Sequence, residues 1–219
     1  MPNRYSLIIF DWDCTLMDSA ARIVHCLQQA ASTLDQPAPS AAAIRDIIGL
    51  GLPEAIRRLF GPVSDTLSDR LIKAYRQHWH DPQIAASGLF PGALSMLDTL
   101  SQAGYLLAIA TGKGRQGLDQ VLLDTKLSAY FQVTRCADEC HSKPHPQMVQ
   151  EIMTDLDTPA ADALVIGDTT YDMQMAKNAQ VDAAGVAYGV HAPHTLRDQG
   201  ALVIFETLSE VPDWLNQVD

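Results

Sequence analysis

Four helical patterns in a row, between residues 18 and 87, separate one short apolar run from a long alternation of strands and helices. The apolar run, Leu7 to Phe10, is continuous and closes on Asp11. A strand apolar on both faces belongs inside a parallel sheet. Ala20, Ile23, Val24, Leu27, Ala31 and Leu34 then recur at helical spacing, with Asp18 and Ser19 as candidate N-caps and Pro37 and Pro39 as stops. Ala41 to Ile48 is a second helical stretch, stopped by Gly49; Pro53 opens a third, with Ile56, Leu59 and Phe60 on one face. Leu67, Leu71, Tyr75 and Trp79 mark the fourth. This succession excludes a plain strand–helix alternation and reads as a helical insertion after the first strand. Strands are expected at Tyr105–Ala110, Phe131–Thr134, Ala163–Ile166, Ala184–Ala187 and Leu202–Phe205, with amphipathic helices between most of them. The pattern predicts an α/β fold: a doubly wound, Rossmann-like parallel sheet core from residues 1–17 and 88–219, with an all-helical unit at 18–87 inserted.

The charge balance narrows the partners. Lysine plus arginine number 15 and aspartate plus glutamate 26, so the formal charge is 15 − 26 = −11. Such a chain repels nucleic-acid backbones and anionic membranes. No apolar run approaches the ~18–20 residues of a membrane span. The first residues lead into the strand without a signal-peptide pattern, and Cys14, Cys26, Cys136 and Cys140 form no disulfide framework. A reducing cytoplasm is the expected location.

Ligands of open parallel sheets bind beyond the carboxyl ends of the strands. The expected strands end in Asp11-Trp12-Asp13-Cys14-Thr15, in Thr111-Gly112-Lys113 and in Gly167-Asp168-Thr169-Thr170-Tyr171-Asp172; Lys143-Pro144 lies on the connection after the Phe131 strand. Asp11, Asp13, Asp168 and Asp172 would then crowd together, and clustered carboxylates need a cation. Mg²⁺ prefers such oxygen ligands. Lys143 adds a fixed positive charge, and Thr111 before a helix start is a natural phosphate grip. With Asp11, Asp168 and Asp172 ionised and a phosphate dianion bound, the charge is −5, against which Mg²⁺ and Lys143 return +3. That balance points to phosphate monoester chemistry.

Other residues read more simply. Lys113 reads as a solvated lysine at a helix start; Arg22, Arg45, Arg57 and Arg58 are candidate anchors for an anionic substrate, each more simply a solvated helix residue. Cys136, Cys140 and His141 are too few for a zinc site. The Gly49-Leu50-Gly51 turn is expected to face the site. Cys14 reads as a passive small residue; the alternative is a thiol whose pKa is lowered beside a lysine and a metal and that is open to mild oxidative inactivation.

The stretch Asp11 to Ser19 resembles the D-x-D-x-T-L-x-D-S pattern of the haloacid dehalogenase superfamily, in its phosphatase branch. Thr111, Lys143-Pro144 and Gly167-Asp168-x-x-x-Asp172 follow in the order of that family's other motifs, and the 18–87 unit corresponds to its helical cap. Phosphoglycolate phosphatase-like members are most similar in general shape. The resemblance implies that Asp11 is the nucleophile, forming an aspartyl-phosphate, and that Asp13 protonates the leaving oxygen and later activates water. It implies a Mg²⁺ site from the Asp11 carboxylate, the Asp13 backbone carbonyl and Asp168, supported by Asp172. Thr111 and the Gly112 amide would bind phosphoryl oxygens, and Lys143 would stabilise the transition state. The implied substrate is a small phosphorylated metabolite, with 2-phosphoglycolate as a candidate. A β-phosphoglucomutase-like phosphotransferase and a non-catalytic binding module are the alternatives. Two positions depart from the pattern: Cys14 stands where glycine is usual, and Gly112 where asparagine is common.

Overall fold

The structure is a computed structural model that describes residues 4–218. Strand β1 (Leu7–Phe10) is buried along its whole length because it lies inside the main sheet. Ile8 and Phe10 enter one apolar layer, Leu7 and Ile9 the opposite one, so the alternation of a strand uses all four side chains. The chain next forms a two-residue strand, β2 (Met17–Asp18), and four helices: α1 (Ala20–Thr33), α2 (Ala41–Asp46), α3 (Leu52–Phe60) and α4 (Asp65–Trp79). Strand β3 (Gly88–Leu89) returns antiparallel to β2. The helices share a third apolar cluster, in which Ile23, Leu27, Ile44, Ile56 and Leu71 are buried together. Ser40 and Ser64 cap α2 and α4 by accepting from backbone N–H groups, as short polar residues before apolar runs should.

Alternation then sets in: α5 (Ala93–Gln102), β4 (Leu106–Thr111), α6 (Arg115–Thr125), β5 (Val133–Cys136), α7 (Gln147–Asp155), β6 (Ala163–Gly167), α8 (Thr170–Asn178), β7 (Asp182–Val186), α9 (Pro193–Asp198), β8 (Ala201–Phe205) and α10 (Val211–Leu215). The main sheet has the order β5-β4-β1-β6-β7-β8, parallel throughout. After β1 the chain builds β4 and β5 on one side and then crosses to β6 on the other. The order therefore reverses around β1, and the crevice above its carboxyl end is where such sheets bind ligands.

Two local expectations shift. The strand expected at Phe131–Thr134 runs instead from Val133 to Cys136, because a 3₁₀ turn at Ser128–Tyr130 precedes it and Phe131 packs into the core. Cys136 is thereby a buried core residue. Ser19 occupies the N-cap position of α1, but its hydroxyl does not cap the helix. No helix among the described residues is long and apolar enough to cross a membrane.

Candidate active site

Asp11 leaves β1 with its backbone N–H still donating to Ile166 O of β6, which fixes the side chain at the sheet edge. Asp168 follows β6 directly, and Asp172 sits in the first turn of α8. There Asp172 forms a capping box with Thr169: its Oδ2 accepts from Thr169 N (3.0 Å) and Oγ1 (2.6 Å), while Thr169 Oγ1 accepts from Asp172 N (3.3 Å). The box leaves Asp172 Oδ1 free to turn inward. One oxygen from each of Asp11, Asp168 and Asp172 lies within 4.8 Å of the others, and all three residues are buried. Lys143 Nζ, equally buried, donates to Asp11 Oδ1 at 2.5 Å and to Asp172 Oδ1 at 2.6 Å.

Fully ionised, three carboxylates and one ammonium would place a charge of −2 on buried side chains. Burial pushes the Asp11 carboxyl up to about 7, with Lys143 opposing and Asp172 adding to the rise. Burial likewise pushes Asp168 well above the carboxylate range, helped by Asp11 and Asp172. Burial works against the Lys143 ammonium, but Asp11 and Asp172 outweigh it and raise its pKa. Asp11 Oδ2 is buried with no hydrogen-bond partner among the described residues. An orphaned carboxylate oxygen beside two further carboxylates is a donor set suited to a hard divalent cation.

Neighbours hold this trio in place. Thr15 Oγ1 donates to Asp168 Oδ1 at 3.2 Å, and Val190 N to Asp168 Oδ2 at 2.9 Å. Val190 comes so close because Gly189 precedes it: a Cβ there would lie 2.1 Å from Asp168 Cβ. Asp13 directs its carboxylate away from the trio. Its Oδ1 accepts from Ser19 Oγ at 2.8 Å, and Lys113 Nζ donates to Oδ2 at 2.9 Å and to Oδ1 at 3.2 Å. The side chain of Lys113 is only 9% exposed, and its Nζ lies 4.3 Å from the centre of the Trp79 ring. Lys113 is thus no solvated lysine: the turn after β4 carries it under the helical unit, where Asp13 and Trp79 enclose it.

Asp11, Asp13, Thr111 and Gly112 line one wall of a chamber of about 190 Å³, whose other walls come from α1, α4 with His80, residues 47–55, residues 113–117 and residues 137–138. Thr111 is buried and its Oγ1 accepts from Lys113 N at 3.1 Å. The absence of a side chain at position 112 has a local cause: a Cβ there would lie 2.5 Å from Gly49 O and 2.6 Å from Leu50 O. The Gly49-Leu50-Gly51 turn therefore rests on Gly112, as expected of a turn facing the site, and Gly51 N anchors it by donating to Ser142 Oγ at 2.8 Å. Arg22 donates to Trp79 O, and Arg57 and Arg58 reach Glu54. None of these three, nor Arg45, lines the chamber.

Cys14 follows the passive reading, and the activated-thiol alternative does not hold. The residue adopts φ +67°, the left-handed backbone for which glycine is usual, and its thiol is buried. Burial, then the nearby Asp168 and Asp13 carboxylates, push the thiol pKa far up rather than down. Among the described residues, Cys136, Cys140 and His141 do not come together as a metal-ligand cluster. Sequence reasoning missed Lys113, Ser19 and Ser142 as parts of the site. Each lies in or beside a motif: Lys113 follows Thr111-Gly112, Ser142 precedes Lys143-Pro144, and Ser19 closes the Asp11–Ser19 pattern.

The sequence matches the haloacid dehalogenase-like hydrolase family over residues 8–186. A probable phosphatase IndB of Dickeya dadantii is 37% identical over 209 residues, which cover 94% of this chain and 91% of that protein. A plasmid-borne phosphoglycolate phosphatase of Cupriavidus necator is 28% identical over 211 residues, 94% of this chain and 90% of that one. The crystal structure of a hydrolase from Pseudomonas syringae superposes with a TM-score of 0.88 at 25% identity, covering 99% of both chains.

Proposed function

Since the chain belongs to the haloacid dehalogenase-like hydrolase family, we propose that it is a Mg²⁺-dependent phosphatase that hydrolyses small phosphate monoesters through an aspartyl-phosphate on Asp11. The observation that carries this reading is the buried trio of Asp11, Asp168 and Asp172, bridged by Lys143, with one Asp11 oxygen left without a partner. Asp11, Asp168 and Asp172 would hold the ion, with the Asp13 backbone carbonyl as a further oxygen donor. When bound, the ion neutralises the carboxylates and makes room for a phosphate dianion.

The chain's own residues carry the steps. Thr111 and the Gly112 amide receive the phosphoryl oxygens. The Asp11 carboxylate attacks phosphorus, and the bond from phosphorus to the leaving oxygen breaks. Asp13 gives its proton to that oxygen, then takes one from the water that attacks the aspartyl-phosphate and frees Asp11. The ion pair with Lys113 suits the second half of this cycle, when Asp13 acts as a carboxylate; in the first half the same group must carry a proton. Lys143 holds Asp11 in position and offsets the charge that builds on the equatorial oxygens. The helical unit at 18–87 serves as the cap that keeps bulk water from the intermediate. The test is hydrolysis of p-nitrophenyl phosphate with Mg²⁺. Chelator should abolish it, and Asp11→Asn should reduce it to background. Full activity in Asp11→Asn would end the covalent route.

A further inference from the structure

We propose that the alcohol released by this enzyme is an uncharged, apolar group about the size of an aromatic ring. This inference rests on the phosphatase reading above and names the substrate class for the same site. The chamber beyond Asp11 and Asp13 is walled by Ile23 and Leu27 of α1, Ile48 and Leu52 from residues 47–55, and Ile72 and Tyr75 of α4. Ile23, Leu27 and Ile48 are buried, so these side chains form a fixed apolar wall. The chamber measures about 190 Å³. An apolar cavity of ~150 Å³ accommodates benzene, so the chamber is on the scale of a ring-sized body rather than of a two-carbon acid.

The charges of the lining argue the same way. Beside Asp11 and Asp13, its acidic and basic side chains are Lys113, Arg76, His80 and Asp138, the last two near the rim with Gln116, while the inner walls named above carry none. Lys113 is committed to Asp13 at 2.9 Å. Arg76 is exposed on the last turn of α4. A carboxylate or a second phosphate among the inner walls would therefore lose water without gaining a counter-ion, which a buried charge does not tolerate. An apolar body loses nothing there and removes its own surface from water.

The test compares kcat/KM for benzyl phosphate, 2-phosphoglycolate and inorganic pyrophosphate on the Mg²⁺-loaded full chain. Benzyl phosphate should lead both by at least tenfold. Ile72→Asp should cut that preference at least tenfold. Calorimetry on the unmutated protein gives a second reading independent of folding defects: benzylphosphonate should bind at least tenfold more tightly than phosphonoacetate. Equal or better use of 2-phosphoglycolate or pyrophosphate, or equal or tighter binding of phosphonoacetate, overturns this inference while leaving the phosphatase reading intact. Failure to hydrolyse benzyl phosphate, 2-phosphoglycolate, pyrophosphate and p-nitrophenyl phosphate alike overturns that reading, and this inference with it.

Discussion

Replacing Lys143 by methionine removes the one ammonium that bridges the buried carboxylates while keeping the side chain's length. Its Nζ lies 2.5 Å from Asp11 Oδ1 and 2.6 Å from Asp172 Oδ1. With an effective dielectric constant near 20, each contact corresponds to a gross attraction of roughly 6 kcal/mol. Dehydrating the ammonium offsets most of that, and removing one partner of a buried pair typically costs about 3–5 kcal/mol. For a chain of this size each kcal/mol moves the midpoint by about 2–4 °C, so metal-free Lys143→Met should unfold about 6–20 °C below the parent. The pH dependence has a definite sign. Asp11 and Asp168 have raised pKa values when folded, so the metal-free native state binds more protons than the unfolded chain from the ordinary carboxylate range up to, for Asp11, about 7. Stability therefore falls as pH rises through that window. Without Lys143 the carboxyls are pushed higher still, and the fall steepens. Urea unfolding in chelator, at about pH 5 and about pH 8, should show the larger loss at the higher pH. A loss under about 1 kcal/mol at the higher pH, or a larger loss at the lower one, would refute the bridging role.

Gly112→Ala places a methyl group against Gly49 O and Leu50 O, and the turn that roofs the site must move. We expect kcat/KM for p-nitrophenyl phosphate to fall at least ~10-fold while the midpoint of thermal unfolding changes little, since a displaced substrate-positioning element weakens turnover more than the core. Cys14 is buried with its thiol pKa raised. Iodoacetamide or dilute peroxide should therefore leave activity intact over the time in which an exposed thiol reacts fully; rapid inactivation traced to Cys14 would contradict the described environment.

Much of this architecture was legible in the chain. Leu7–Phe10 and Ala163–Ile166 are apolar throughout, so an aspartate following each can only emerge at the sheet edge, and both do. Four helical patterns in succession likewise left no place for a strand of the main sheet. The misread residues depend on contacts that periodicity does not encode. Lys113 meets a carboxylate 100 positions away, and its burial comes from a ring on α4. Ser19 sits where a capping serine belongs, yet the tight turn between Asp13 and Met17 brings Asp13 within reach of its hydroxyl. Gly112 read as a departure from the more common asparagine. It marks a close approach of two backbones, which nothing in its own neighbourhood announces.

Asp11 is proposed as the nucleophile that takes up the phosphoryl group in the buried carboxylate–lysine site. Acid quenching during turnover of p-nitrophenyl phosphate, followed by peptide mass spectrometry, tests it most directly. The account predicts one added phosphoryl group on the peptide that contains Asp11, labile to hydroxylamine and absent from Asp11→Asn. A phosphoryl group on another residue, or steady turnover with Asp11 never modified, would contradict it.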